Sequence, residues 1–168
     1  HAFFIDVVSA LKKQTKIPFQ VLCAGVGDEE YSSQLLEKVQ ELQIQDVFRF
    51  LNYVNDIPKL LNQSHLAVLP TTERGEACPM AVLESLACGV PIIVSDTPGN
   101  RDIVDESVGW VLEHDNVALW VKVILQILKD RKQLIDKRQA AYDKVQQQYT
   151  FDLFFQRHLS LYQHLINQ

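Results

Sequence analysis

Apolar and polar positions along this chain switch between two periods. Phe4, Val7, Val8 and Leu11 fall at helical spacing ahead of the polar "KKQTK", which predicts a helix over about 2–14. Pro18 opens the next element, and the short apolar run "FQVLCAG", closed by Gly25 and Gly27, reads as a strand buried on both faces. From there "EEYSSQLLEKVQELQI" has one apolar face and predicts a helix, "VFRFL" a strand, "DIPKLLNQS" a short helix and "LAVLP" another buried strand. Pro79 suits the first turn of a helix, and Gly89 followed by Pro91 suits its end, so the next helix runs from about 79 to 88. "PIIVS" is then a strand, "GNRDIV" a turn or two of helix, "GWVLE" a last short strand, and three helical stretches fill 116–167.

Strands separated by helices and short connections imply parallel pairing with right-handed crossovers, hence an α/β fold with a doubly wound, Rossmann-like parallel sheet. Ligands of such sheets sit outside the carboxyl ends of the strands. Here those ends are the loops 25–28, 52–56, 71–78 and 95–101.

Composition narrows the class. The 168 residues, 47 % hydrophobic, are enough for one sizeable core and a single domain over 1–168. A net charge of −5 lacks the positive field that nucleic acid requires, so no nucleic-acid partner is expected. Cys23, Cys78 and Cys88 are odd in number and apolar in surroundings, which excludes a disulfide framework and suits a reducing cytoplasm. No apolar run approaches the roughly 20 residues that span a bilayer. His65, His114, His158 and His164 form no i, i+4 pair, and no Asp-x-Asp occurs, so neither a metal nor any other cofactor is expected.

The stretch "GEACPMAVLESLACGVP" carries the candidate chemistry. Glu76 and Glu84 lie eight positions apart, and the first turn, "PMA", has no carboxylate to neutralise the free N–H groups and positive dipole end. Such an end favours a phosphate. Glu84 shares a face with Met80 and Ala81 and leans back toward the same end. Eight residues of helix rise about 12 Å, the scale of a sugar nucleotide with a hydroxyl at each carboxylate and the diphosphate between. The alternative from spacing alone is a surface helix with ordinary edge carboxylates, and small residues serving only close packing. A dinucleotide fingerprint at "GVG" is disfavoured because Glu30 stands at the third glycine and Asp28 and Glu29 would repel a pyrophosphate. Cys78 beside the helix start is a weaker nucleophile candidate, since no histidine is near in sequence.

These residues resemble the E-x7-E motif of family 4 retaining glycosyltransferases, whose two Rossmann-like domains form the GT-B fold. "LAVLPTTERGEACPMAVLESLACGVPIIVSDTPGNRDIV" is similar to the family's strand, motif helix, following strand and glycine loop, and "VLCAGVGDEE" and "FRFLNYVNDIPKLL" resemble the two preceding blocks. The resemblance implies the C-terminal, donor-binding half of a GT-B enzyme. It places Glu76 against the transferred sugar as the catalytic residue and Glu84 on the ribose hydroxyls. Backbone N–H groups of Cys78, Pro79, Met80, Ala81 and Val82 are its sugar and diphosphate contacts (Pro79, lacking an N–H, by its position only), and Tyr53 and Val54 lie near the base.

Four departures stand out. Asn52 occupies a position where glycine is usual, Pro98-Gly99 replaces a glycine pair, "ACP" stands where "GFG" is common, and the family's first strand, with basic residues that clamp the diphosphate, does not precede His1. The implied function is transfer of a hexose-type sugar from a UDP or GDP donor to a glycan or lipid-linked acceptor held by an N-terminal domain outside this chain. Without that half the chain is expected to be inactive and cytoplasmic, with membrane contact only through the missing part. An epimerase or phosphorylase of the same architecture, or a non-catalytic accessory subunit, are the alternatives. At the other end, Phe151, Phe154, Phe155, Leu159, Tyr162 and Ile166 form one apolar stripe over 151–168, expected to pack toward the missing domain.

Overall fold

The computed structural model describes residues 1–71 and 76–167. All the elements read from the sequence are present in the predicted order. They are α1 (Ala2–Gln14), β1 (Val21–Ala24), α2 (Glu29–Glu41), β2 (Phe48–Asn52), α3 (Ile57–Asn62), β3 (Ala67–Leu69), α4 (Met80–Ala87), β4 (Ile92–Ser95), α5 (Pro98–Ile103), β5 (Gly109–Leu112), α6 (Val117–Lys129), α7 (Lys132–Gln148) and α8 (Phe151–Ile166).

Every strand pair is parallel, as the connections require. The hydrogen bonds fall into two ladders, β1–β2 and β3–β4–β5, with β1 and β3 not paired to each other. In the first, Val21 lies opposite Phe48 and Cys23 opposite Phe50. In the second, Ile92 of β4 lies opposite Ala67 on one side and Gly109 on the other.

Helix α1 bridges the ladders because two adjoining parts of its surface are apolar. Val7 and Leu11 enter a cluster with Ile93, Leu112 and the buried face of α6, Trp120, Val121, Ile124 and Ile127. Ile5 and Val8 enter another with Leu35, Val39, Ile44 and Phe48. Trp120 satisfies its ring by donating from Nε1 to the carbonyl of Glu113 at 2.9 Å. On the opposite face of the three-stranded ladder, Val82 and Leu86 of α4 meet Ile92, Val94 and Ala141 and Val145 of α7. β4 is therefore buried at every position, and doubly wound describes this ladder well.

β1 corrects one expectation. Its burial alternates, and Leu22 keeps 41 % of its surface exposed although the run reads as a strand covered on both faces. Val21 and Cys23 face α1 and α2, whereas Leu22 and Ala24 point to a face that no described element covers. β3 is likewise only half-buried. In α8 no residue is buried, and Phe151, Phe154, Phe155, Leu159, Tyr162 and Ile166 are all exposed.

Candidate functional site

The motif helix α4 is fixed from below and from behind. Val82, Ser85 and Leu86 are buried, and Ser85 Oγ donates to the Val90 carbonyl at 2.8 Å. At its end Gly89 adopts a left-handed backbone, φ +65°. The N–H of Gly89 donates to Leu86 O at 2.9 Å and that of Val90 to Ser85 O at 2.9 Å, a Schellman closure. The glycine at this position is thus a stop signal with a geometric reason.

The other end of α4 is open. Pro79 stands just ahead of the helix, no side chain caps it, and no acidic residue lies in the first turn. The Val82 N–H already donates to the Pro79 carbonyl at 3.1 Å, so it is the N–H groups ahead of it, in the turn where a helix offers no partner of its own, and a positive dipole that this end presents. Cys78, Met80 and Ala81 are exposed around it, with Pro79 and Val82 buried beneath. Glu76 is exposed immediately before the turn, and Glu84 is exposed one turn on, above Met80 and Ala81. Burial, and then the Glu84 carboxylate a turn away, push the Cys88 thiol up. Of the loop 71–78, residues 72–75 lie outside the described residues, Gly75 among them.

The backbone at Glu76 and Ala77 rests on the start of α5. A Cβ at Gly99 would collide with the Glu76 carbonyl oxygen and stand 2.7 Å from that of Ala77. Beside it, buried Asn100 donates from Nδ2 to the Ser95 carbonyl at 2.8 Å, and Arg101 Nε pairs with Asp96 at 2.8 Å. Sequence reasoning named the 95–101 loop but not this contact; "PGN" after a strand carries a turn signal and no hint of what touches it. Two hydroxyls here, Ser95 Oγ and Thr97 Oγ1, are buried without a hydrogen-bond partner among the described residues.

Tyr53 and Val54 follow β2 in the other ladder. Asn52 before them has φ +53°, and its carbonyl accepts from Gly25 N at 2.8 Å. The glycine usual at that position thus gives way to asparagine, the residue that best tolerates a left-handed backbone after glycine. Tyr53 is 74 % exposed and Val54 half-buried, and neither belongs to the cluster that seats α4. The structure therefore gathers Glu76, Cys78–Val82 and Glu84 around one helix end and leaves Tyr53 and Val54 at the end of a different ladder.

The loop after β1 puts one of its acidic residues to a structural use. Asp28 caps α2, accepting from Tyr31 N at 3.0 Å. Among the described residues no group of three His, Cys, Asp or Glu side chains could hold a metal ion, and no helix is long and apolar enough to cross a membrane. A cleft of about 370 Å³ lies at the opposite end of α4, lined by Asn62, Cys88, Gly89 and Arg138, and holds none of the predicted site residues.

Parallel ladders with helices between the strands define an α/β protein with a doubly wound arrangement around β4. The chain belongs to the family described as glycosyl transferases group 1, whose model matches residues 1–147. It is 28 % identical over 131 residues to the UDP-Gal:alpha-D-GlcNAc-diphosphoundecaprenol alpha-1,3-galactosyltransferase of Escherichia coli, covering 77 % of this chain and 33 % of that protein. With the N,N'-diacetylbacillosaminyl-diphospho-undecaprenol alpha-1,3-N-acetylgalactosaminyltransferase of Campylobacter jejuni the identity is 31 % over 144 residues, 84 % of this chain and 36 % of that one. The crystal structure of Anabaena HepE in complex with UDP-glucose superposes with a TM-score of 0.81 at 18 % identity, covering 95 % of this chain and 44 % of that one. That likeness shows the fold, the C-terminal half of a GT-B glycosyltransferase. The chain spans about a third of the curated relatives' lengths.

Proposed function

We propose that this chain is the donor-binding domain of a retaining glycosyltransferase that moves a hexose-type sugar from a nucleoside diphosphate to a glycan or lipid-linked acceptor. The observation that carries the reading is the uncapped start of α4 with Glu76 and Glu84 exposed on either side of it. The donor's diphosphate meets the N–H groups at this end, where fixed dipoles stabilise the negative charge that develops on the leaving group. Glu76 holds the transferred sugar while the bond to the diphosphate breaks, and Glu84 accepts hydrogen bonds from the ribose hydroxyls. The base lies toward Tyr53 and Val54. A relative whose name begins with UDP-Gal and a structural relative holding UDP-glucose favour uridine over guanosine. Transfer proceeds without a metal, the helix end and basic residues from outside this chain supplying the positive charge.

The acceptor is held by a further domain, against which the exposed stripe of α8 docks. Alone, the chain binds donor without transferring its sugar. The protein works in the cytoplasm, reaching the inner membrane face through that further domain. The epimerase or phosphorylase reading predicts isomerised donor, or phosphate-dependent cleavage without acceptor; the accessory-subunit reading predicts a stable complex with a transferase and no donor turnover.

Calorimetric titration with UDP, GDP and a sugar derivative of each tests the site. Glu84→Ala is expected to weaken nucleotide binding by roughly tenfold or more, the loss of a charge-assisted hydrogen bond. In the full-length protein, Glu76→Ala is expected to lower transfer by about a thousandfold while nucleotide affinity changes by less than about threefold. Near-normal transfer in both variants overturns the assignment.

A further inference from the structure

Residues 76–79, which carry Glu76, lie outside any helix or strand, so their position is set by what they rest on. Among the described residues, the first turn of α5 lies directly against the backbone of this segment at Gly99. There the missing side chain matters for space: an added Cβ would strike the Glu76 carbonyl and come within 2.8 Å of the Ala77 carbonyl carbon, closer than side-chain carbons approach backbone. Both obstructing atoms are backbone, so no rotamer change can relieve the collision.

Which side yields is decided by how each is held. The turn at Gly99 is anchored throughout: Asp96 N donates to Leu112 O at 2.7 Å, continuing the β4–β5 ladder, and Arg101 N donates to Thr97 O at 3.0 Å. Asn100, 1 % exposed, ties the same turn to Ser95 at 2.8 Å. Pro98 fixes its own φ. Residues 76–78, by contrast, are exposed and outside any helix or strand. A side chain at 99 therefore displaces the Glu76 segment and leaves α5 in place.

We infer that Gly99 is a positioning residue: by lacking a side chain it lets the Glu76–Ala77 backbone settle onto α5, and that seat sets where the Glu76 carboxylate stands relative to the start of α4. The inference rests on the reading of Glu76 given above. Misplacement of a reacting group by about 1 Å costs on the order of a hundredfold in rate. Gly99→Ala in the full-length protein is thus expected to lower kcat for UDP-glucose or UDP-galactose consumption by about a hundredfold, with KM within about twofold.

A readout independent of turnover accompanies it. Cys78 is exposed two residues after Glu76, whereas Cys23 and Cys88 are partly buried, so the iodoacetamide labelling rate of the Cys78 peptide reports the segment's position. It is expected to change by at least about fivefold in Gly99→Ala while UDP affinity holds, since a coupled pair behaves unlike independent sites. For the same reason, combining Gly99→Ala with Glu76→Gln is expected to lose little beyond Glu76→Gln alone. Asn100→Ala, which loosens the seat without adding an atom, is expected to shift labelling and kcat in the same directions by a smaller factor, and decides the matter if Gly99→Ala does not fold. Unchanged Cys78 labelling in whichever variant folds, or rate losses that multiply independently of Glu76, overturn the inference. If Glu76→Gln is fully active on whichever donor the parent protein consumes, the reading of the donor site falls, and the labelling experiment still decides whether Gly99 seats the segment.

Discussion

The two ladders are built from apolar runs that look alike, yet they meet different surroundings. β4, from "PIIVS", lies between α1 and α6 on one face and α4 and α7 on the other, with every residue buried. β1, from "FQVLCAG", is covered by α1 and α2 on one face only. The proposed site divides between the ladders: Glu76, Glu84 and Gly99 lie with β3–β4–β5, whose central strand is covered on both faces, and Tyr53 and Val54 with the half-covered ladder. The groups proposed to hold the transferred sugar thus stand on elements seated against a strand covered on both faces, and those proposed for the base follow a strand covered on one.

The sharpest way to break this comparison is to delete equivalent bulk from each ladder. Ile93→Ala removes a side chain with no exposure, from a cluster shared with α1 and α6, and is expected to cost about 2–5 kcal/mol. Leu22→Ala removes one that is 41 % exposed and is expected to cost less than about 1 kcal/mol. Urea unfolding of both variants checks it. Equal losses would mean that the outer face of β1 is covered, and the contrast between the halves would disappear.

That contrast also marks where the sequence stopped being legible. Periodicity located the elements because each one signals its own type locally: Pro79 and Gly89 bracket α4, and Asp28, Asp56 and Asn116 cap α2, α3 and α6. The spacing of Glu76 and Glu84 around a carboxylate-free first turn is also a local pattern, but spacing alone left a surface helix with ordinary edge carboxylates open, and their roles came only from the resemblance. Whether a second helix covers β1 is not local, because it depends on which elements stack over it, and an apolar run reads the same with one partner layer or two. The seat at Gly99 was hidden for a related reason. It is a contact between segments more than twenty positions apart, made by an atom that is absent, and "TPGN" offers nothing to distinguish it from an ordinary helix start.

Ion pairs sharpen the comparison at smaller scale. In the covered half, Lys144 Nζ of α7 lies 2.6 Å from Asp105, just past α5. Burial raises the Asp105 carboxyl, but hydrogen bonds from Lys144 and Ser107 together outweigh it and hold the group at about 2. A carboxyl depressed below its unfolded value near 3.9 contributes stability that is complete above that value and lost as pH falls from about 4 to 2. Asp105 is more than half exposed at its side chain, so screening limits the effect to less than about 1 kcal/mol. Lys144→Met is expected to flatten the stability profile across that window. In the half-covered part the hydrogen bond from Lys12 lowers the Asp46 carboxyl, which is largely exposed, so added salt is expected to erase its contribution before that of Asp105. Thermal unfolding against pH at low and high salt compares the two.

The smallest expected effect tests the covered half from inside. Ser95 Oγ and Thr97 Oγ1 are buried at the end of β4 without a partner among the described residues, a condition that costs about 1–3 kcal/mol for each group left desolvated. Thr97→Val keeps the shape and removes the hydroxyl, so it is expected to be neutral or to raise the melting temperature slightly. The turn would then be held by its backbone and Asn100 hydrogen bonds, with the Thr97 hydroxyl adding nothing to them. A loss of more than about 1 kcal/mol would show instead that the hydroxyl is satisfied in solution. Unchanged stability with weakened UDP binding would place the Thr97 hydroxyl on the donor side of the turn, adding it to the site that Glu76 and Glu84 define.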